Sequence, residues 1–138
     1  MRMFARIAST LAVLALSIVS AKSEIPLVPS KWIVTEIAGS PVLNGSSVLI
    51  EFLADGTVGG NTGVNRFNGN VVVTGSNVQF DRLRSTRRAG SPELMDQESR
   101  FNRALGNTES FSIDAGGILT LLGSSSTPVL RARRDTGQ

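Results

Sequence analysis

The stretch GNTGVNRFNG, Gly60 to Gly69, decides how the rest of the chain is read. It sets three glycines and three asparagines around one arginine and one phenylalanine. Two readings compete. In the first it is architecture: Gly60, Gly63 and Gly69 permit turns or close backbone approach. Asn65 and Asn68 tolerate left-handed backbone and bond their own main chain, and Phe67 anchors a core. In the second it grips a ligand, with Arg66 donating to an anion and Asn65 and Asn68 beside it. The Lys-Ser/Thr pair of a P-loop is absent and no helix follows directly, which argues against a nucleotide cradle. Glycine and asparagine clusters ordinarily serve shape, so the architectural reading is preferred.

Working outward, short apolar runs alternate with turn signals. Lys31–Ala38 opens on Trp32 and Val34. Val48, Ile50 and Phe52 alternate before Asp55-Gly56, and the brief run Thr57–Asn61 leads into the corner. Val71, Val72 and Val73 follow it, then Gly75-Ser76-Asn77, then Val78 and Phe80. Phe111 and Ile113 precede Gly116-Gly117, and Leu119, Leu121 and a last run Val129–Arg133 close the series. About eight strands at hairpin spacing predict a small antiparallel β-barrel-like sheet. The alternation slips twice, from Phe80 to Leu83 and from Val34 to Ile37. A bulge near Asp81-Arg82 restores Leu83 to the inside, and bulges curl sheets toward closure.

One segment has a different period. Ser91-Pro92-Glu93 gives an N-cap, a proline at the first helical position and an acid in the first turn. Leu94, Phe101, Ala104 and Leu105 fall on one stripe, Asp96 and Arg100 pair on the outer face, and Gly106 supplies a left-handed stop. One α-helix is therefore predicted, about 92–105, packed against the sheet. The five aromatic residues Trp32, Phe52, Phe80, Phe101 and Phe111 are the expected core.

The first 21 residues pair Arg2 and Arg6 with an apolar run from Ile7 to Val19 and a small-residue exit, the pattern of a cleaved signal peptide. The run is too short to span a bilayer. A soluble periplasmic or secreted product is expected, with no transmembrane anchor after cleavage. Residues 22–30 read as an extended leader, 31–134 as one domain and 135–138 as a tail. The chain's formal charge is +3, from 14 basic and 11 acidic residues. Losing Arg2 and Arg6 leaves 12 against 11, a net charge of +1, and nucleic acid is not expected as a partner.

There is no Cys and no His. Ser-His and Cys-His catalysis and His/Cys zinc sites are thereby excluded. A Ser-Lys pair would need Lys22 or Lys31, both near the start. Glu51, Asp55, Asp81, Glu93, Asp96 and Glu98 show no pairing or clustering that marks acid–base work or calcium. No enzyme and no cofactor are expected. The remaining candidate is a basic run, Arg82, Arg84, Arg87 and Arg88, with Arg131, Arg133 and Arg134 near the end. It reads either as a solvated face or as a patch for an anionic envelope component or an acidic partner.

The ordered set of Trp32 and Gly39, Gly63-Val64-Asn65-Arg66-Phe67-Asn68-Gly69, Leu83, Thr86-Arg87-Arg88-Ala89-Gly90, Met95, Glu98, Phe101, Leu105 and Leu119-x-Leu121 resembles the META-domain (HslJ-like heat-shock protein) family. The resemblance implies a small antiparallel barrel with a packed helix, in exported or envelope proteins linked to stress tolerance. It brings no general enzymatic activity. Trp32, Gly63, Val64, Asn65, Arg66, Phe67, Gly69, Thr86, Gly90 and Glu98 occupy the family's motif positions. Three of the family's positions depart: where relatives carry Cys, this chain has Val64 and Gly90, and where they carry Met it has Arg88. The paired loss of Cys implies that positions 64 and 90 are neighbours in space. The functional expectation is a stress-related envelope module that binds or stabilises a partner, Glu98 bonding a neighbouring loop. The alternative is a carrier of a small apolar ligand inside the barrel.

Overall fold

A computed structural model describes residues 26–137; the expected signal peptide and the first part of the leader lie outside the described residues. Among the described residues nine strands and one α-helix follow in order: β1 (Ser30–Ile37), β2 (Ser40–Pro41), β3 (Val48–Phe52), β4 (Thr57–Thr62), β5 (Arg66–Thr74), β6 (Asn77–Ser85), α1 (Pro92–Asn107), β7 (Ser110–Ile113), β8 (Ile118–Leu122) and β9 (Pro128–Arg134), with a short 3-10 turn, Ser124–Ser126, between the last two. The strands form one antiparallel sheet in the order β2-β1-β3-β4-β5-β6-β7-β8-β9. Pairing of β9 with β1, from Trp32 opposite Arg134 to Ile37 opposite Leu130, closes eight of them into a ring. The ninth, β2, is a two-residue hairpin arm on the end of β1.

Alternation drives this closure. Val48, Ile50 and Phe52 are buried while Glu51 is exposed. Trp32, Val34, Leu119, Leu121, Leu130 and Ala132 complete the interior. Burying each of the larger of these side chains contributes about 1.5–3 kcal/mol. Both expected slips are present. The β1–β9 register shifts between Val34 and Glu36. Across β5–β6 it shifts opposite Asp81 to Arg84, with Arg82 in left-handed backbone at φ 53°. Leu27 also reaches the core.

The β3–β4 turn is fixed by Asp55, whose carboxylate accepts from Thr57 Oγ1 at 2.6 Å and Thr57 N at 3.0 Å. Those two bonds hold its pKa below the usual 3.8. The turn's contribution is complete above that value and is lost as the pH falls through the lower folded value. An NMR titration is expected to place the Asp55 midpoint below 3.8; a midpoint above it would contradict the turn geometry.

The helix begins as its sequence dictates: Ser91 accepts from Leu94 N at 3.3 Å, and Pro92 occupies the first turn. Asp96 and Arg100 pair at 3.1 Å on the outside. Its end differs from expectation. Gly106 does not stop it, and the cap is Thr108, two residues on. Thr108 Oγ1 donates to the Ala104 carbonyl at 2.7 Å, so a hydroxyl meets a terminal carbonyl that a glycine turn would otherwise have met. Phe101, Ala104 and Leu105 are buried. The helix closes one end of the ring, touching β9, β1 and β4.

The expected aromatic core also needs correction. Trp32, Phe52 and Phe101 are fully buried, but Phe80 and Phe111 are only partly so. The cause is a seam. Strands β6 and β7 share a single paired position, Asn77 opposite Ser110. Phe80 and Phe111 flank that narrow join and keep an open side.

Candidate functional site

The Gly60–Gly69 corner comprises the end of β4, the turn at residues 63–65 and the start of β5. Asn61 Oδ1 accepts from Gly63 N at 2.7 Å, and Gly63, at φ 97°, turns the chain. Thr62 N donates to the Asn65 carbonyl at 2.8 Å, and Thr62 Oγ1 accepts from Asn65 N at 2.9 Å. The corner is thus a self-bonded loop.

Asn65 then ties three parts of the chain together. Its Oδ1 accepts from Arg88 N at 2.6 Å and Thr86 Oγ1 at 2.9 Å. Its Nδ2 donates to the Arg88 carbonyl at 3.2 Å and to Glu98 Oε1 at 2.8 Å. A primary amide has two donors and two acceptor lone pairs, and all four are engaged by the fold. Thr62 Oγ1 also reaches Glu98 Oε1 at 2.8 Å. Thr62, Asn65 and Glu98 are 0%, 3% and 7% exposed. A carboxylate this deep requires partners, and here they are a hydroxyl and an amide. Asn65 therefore offers no free polar atom to a ligand.

Phe67 is buried and packs edge-on against Phe101 of α1, ring centres 5.3 Å apart. Gly69 faces Leu83; a Cβ there would lie 2.7 Å from Leu83 Cδ2. Trp32 sits in the core, donates from Nε1 to Ser30 Oγ at 2.6 Å, and lies 5.1 Å beneath the Arg134 guanidinium. Thr86 accepts from Arg66 N at 3.1 Å, which joins the corner to the segment after β6.

Val64 and Gly90 are neighbours. A Cβ built on Gly90 would lie 3.1 and 3.3 Å from the two Val64 methyls. In a disulfide each sulfur lies about 3 Å from the far Cβ, given an S–S bond near 2.05 Å. A Val64→Cys/Gly90→Cys variant is therefore expected to crosslink under oxidising conditions. Closing a loop of about 26 residues should stabilise the fold by about 3 kcal/mol. Denaturant melts with and without reductant measure this; absence of the crosslink, or no gain from it, would contradict the geometry.

The arginines lie elsewhere, outside. Arg82, Arg84, Arg87 and Arg88 are all exposed. Arg84 stands opposite Asn68 across β5–β6, and Arg66 is two residues along on the same outer face. The register thus joins Arg66 to the basic run, which spacing alone did not show. Asn68 is exposed there too. The structure separates the two halves of the ligand reading: Asn65 points in and is consumed, while Arg66 and Asn68 point out. Arg131, Arg133 and Arg134 lie on β9, on the other side of the seam from β6.

Sequence reasoning missed Thr62 and Gln97. Gln97 is fully buried, accepts from Leu43 N at 2.8 Å and donates to Ser46 Oγ at 3.0 Å. Thr62 was signalled by alternation, since it follows Val58 and Gly60 on the inward face of β4. Among the described residues no group of three or more acidic, His or Cys side chains stands where it could hold a metal ion. No helix among them is long and apolar enough to cross a membrane.

Three solved structures share this fold at low identity. An NMR structure of a protein from Burkholderia xenovorans aligns with a TM-score of 0.63 and 19% identity, covering 78% of this chain and 83% of its own. A second NMR structure gives 0.60 and 19%, covering 75% and 88%. The crystal structure of a DUF4847 family protein from Bacteroides vulgatus gives 0.59 and 17%, covering 80% and 95%. No curated protein matches the chain. The META domain profile matches residues 26–136, most of the chain, with the Asn65 corner and the Glu98 helix inside the match. The chain belongs to the META-domain family.

Proposed function

We propose that this chain is an exported, non-enzymatic envelope module that binds an anionic partner through its exposed arginines, in a stress-related stabilising role. One observation carries the reading. The buried polar side chains of the corner, Thr62 and Asn65, are bonded to Glu98 and Thr86, while Arg66, Arg82, Arg84, Arg87 and Arg88 remain outside. Exposed guanidinium groups on one strip attract carboxylates and phosphates. The alternative, a carrier for a small apolar ligand, is less favoured because Trp32, Ile50, Phe52, Leu119 and Leu121 fill the ring. A depression of about 380 Å³ lies at the β6–β7 seam, and another of about 500 Å³ lies between the end of α1 and the β8–β9 turn; both are open to the surface and neither is lined by Trp32, Ile50 or Phe52 of the ring interior.

The test is retention on phosphatidylglycerol vesicles and on immobilised polyglutamate, at about 0.02 M and 0.15 M salt, where screening lengths differ by about 2.7-fold. Binding to at least one is expected at low salt. Changing Arg82, Arg84, Arg87 and Arg88 to Ser should weaken it by about tenfold or more while leaving the melt unchanged, since all four side chains are exposed. No retention on either probe, or equal retention by the variant, would refute the reading.

A further inference from the structure

The seam leaves one strand edge open. Val78 N donates to the Glu109 carbonyl at 3.0 Å, and Phe111 N to the Ser76 carbonyl at 2.9 Å. Beyond Val78, β6 runs on past the start of β7, and the end of α1 lies across the gap from it. Among the described residues no backbone group pairs with Gln79–Ser85 on the side away from β5. Asp81, Arg82, Arg84 and Ser85 are exposed.

The direction of the unpaired groups follows from register. Main-chain donors and acceptors alternate sides along a strand. Val78 N points toward β7, so Phe80, two residues on, points the same way. The opposite strand agrees: Val71, facing Phe80, donates its N–H toward Gly56 and not toward β6. Phe80 therefore presents both N–H and C=O at the open edge. Beside it lies a depression of about 380 Å³, lined by Val78, Phe80, Gly106 and Thr108 among others.

Resting on the arginine reading above, we propose that this edge is where the partner docks, as an extended acidic segment adding one strand to β6. The residue facing Phe80 exchanges two hydrogen bonds with it, as in any paired antiparallel position. Its neighbours on one side place apolar groups in the depression against Phe80. Its neighbours on the other place carboxylates against Arg82, Arg84 and the following Arg87 and Arg88. The Arg82 bulge ends regular pairing there, which keeps the added strand short and its affinity dependent on charge. A second copy is a poor occupant. Gln79 to Arg88 carries four arginines against one acid, Asp81, so two such edges repel. Asp81 and Glu109 flank the anchor, which puts the attraction at the C-terminal half of β6.

The experiment uses a capped peptide of alternating glutamate and valine, its twin N-methylated on alternate residues, and phosphatidylglycerol vesicles. The twin keeps every charge and loses the donors on one edge. Wild-type chain should bind the peptide, bind the twin about tenfold more weakly or worse, and show slowed amide exchange at Phe80. Equal binding of both peptides would overturn strand addition and leave the arginine strip intact. Binding to vesicles with none to the peptide would do the same and point to a lipid surface. Binding to neither would overturn both.

Discussion

Replacing Asn65 by Ala is expected to lower stability by about 4 kcal/mol, a large share of the 5–15 kcal/mol typical of a domain. The reason is what remains behind. Four hydrogen bonds vanish together. Among the described residues Glu98 keeps only the Thr62 hydroxyl, and the Arg88 N–H and carbonyl lose the Asn65 amide at a part-buried site. A neutral bond is worth about 1 kcal/mol and one to a charged group about 1.5–3 kcal/mol, with desolvation added where a partner is stranded. Loss of the corner should also free the start of α1, since the Arg88 segment leads into Ser91. Asn65→Asp is the sharper variant. It is nearly isosteric, yet it replaces the Nδ2 donor beside Glu98 with a second carboxyl oxygen. Thermal melts should fall by about 20 °C for either, at about 4–8 °C per kcal/mol for a domain of this size. A drop of only a few degrees would show that the cluster is not structural.

Gly60→Ala should cost a similar amount for a different reason. Gly60 lies on the inward side of β4, paired with Ile50 and Phe67. Its φ of 155° belongs to glycine, and an added Cβ would overlap the Leu49 carbonyl oxygen. The same Cβ would lie 2.9 Å from Phe67 Cε1, on a ring already wedged against Phe101. Neither neighbour can yield: one is paired backbone, the other a core aromatic. Overpacking usually costs about 1–3 kcal/mol, and a backbone clash in strained φ adds to it. An expected loss of about 4 kcal/mol should appear as a melt lowered by about 20 °C, with Phe67 and Phe101 resonances shifted. A melt within a few degrees of wild type would contradict the close β3–β4 approach.

Much of this was legible because local chemistry and tertiary structure agree. Ser91-Pro92 starts a helix wherever an apolar stripe follows it, and the slip from Phe80 to Leu83 demanded an extra residue that Arg82 supplies. The glycine–asparagine corner announced a turn. What stayed hidden depends on contacts distant in sequence. Gln97 looks like an outer-face residue until a loop 54 positions away supplies Leu43 N. Gly106 looks like a stop until Thr108 bonds Ala104 instead. Glycine is tolerated in a helix at a cost of about 1 kcal/mol, which packing of Phe101 and Leu105 overrides. The narrow β6–β7 seam could not be read from periodicity, because Val78–Phe80 and Phe111–Ile113 alternate well enough to suggest full pairing. Arg66 joined the arginine strip only once the register placed Asn68 opposite Arg84.

The most direct test of the corner as architecture is a double-mutant cycle between Asn65 and Glu98, using Asn65→Ala, Glu98→Ala and the pair, with stability from urea melts. Side chains sharing a buried bond at 2.8 Å should couple by about 1.5 kcal/mol or more, so the double variant loses much less than the two singles together. Losses that add to within about 0.5 kcal/mol would mean that the amide and the carboxylate act independently, and the corner would no longer be the joint that fixes the helix to the ring.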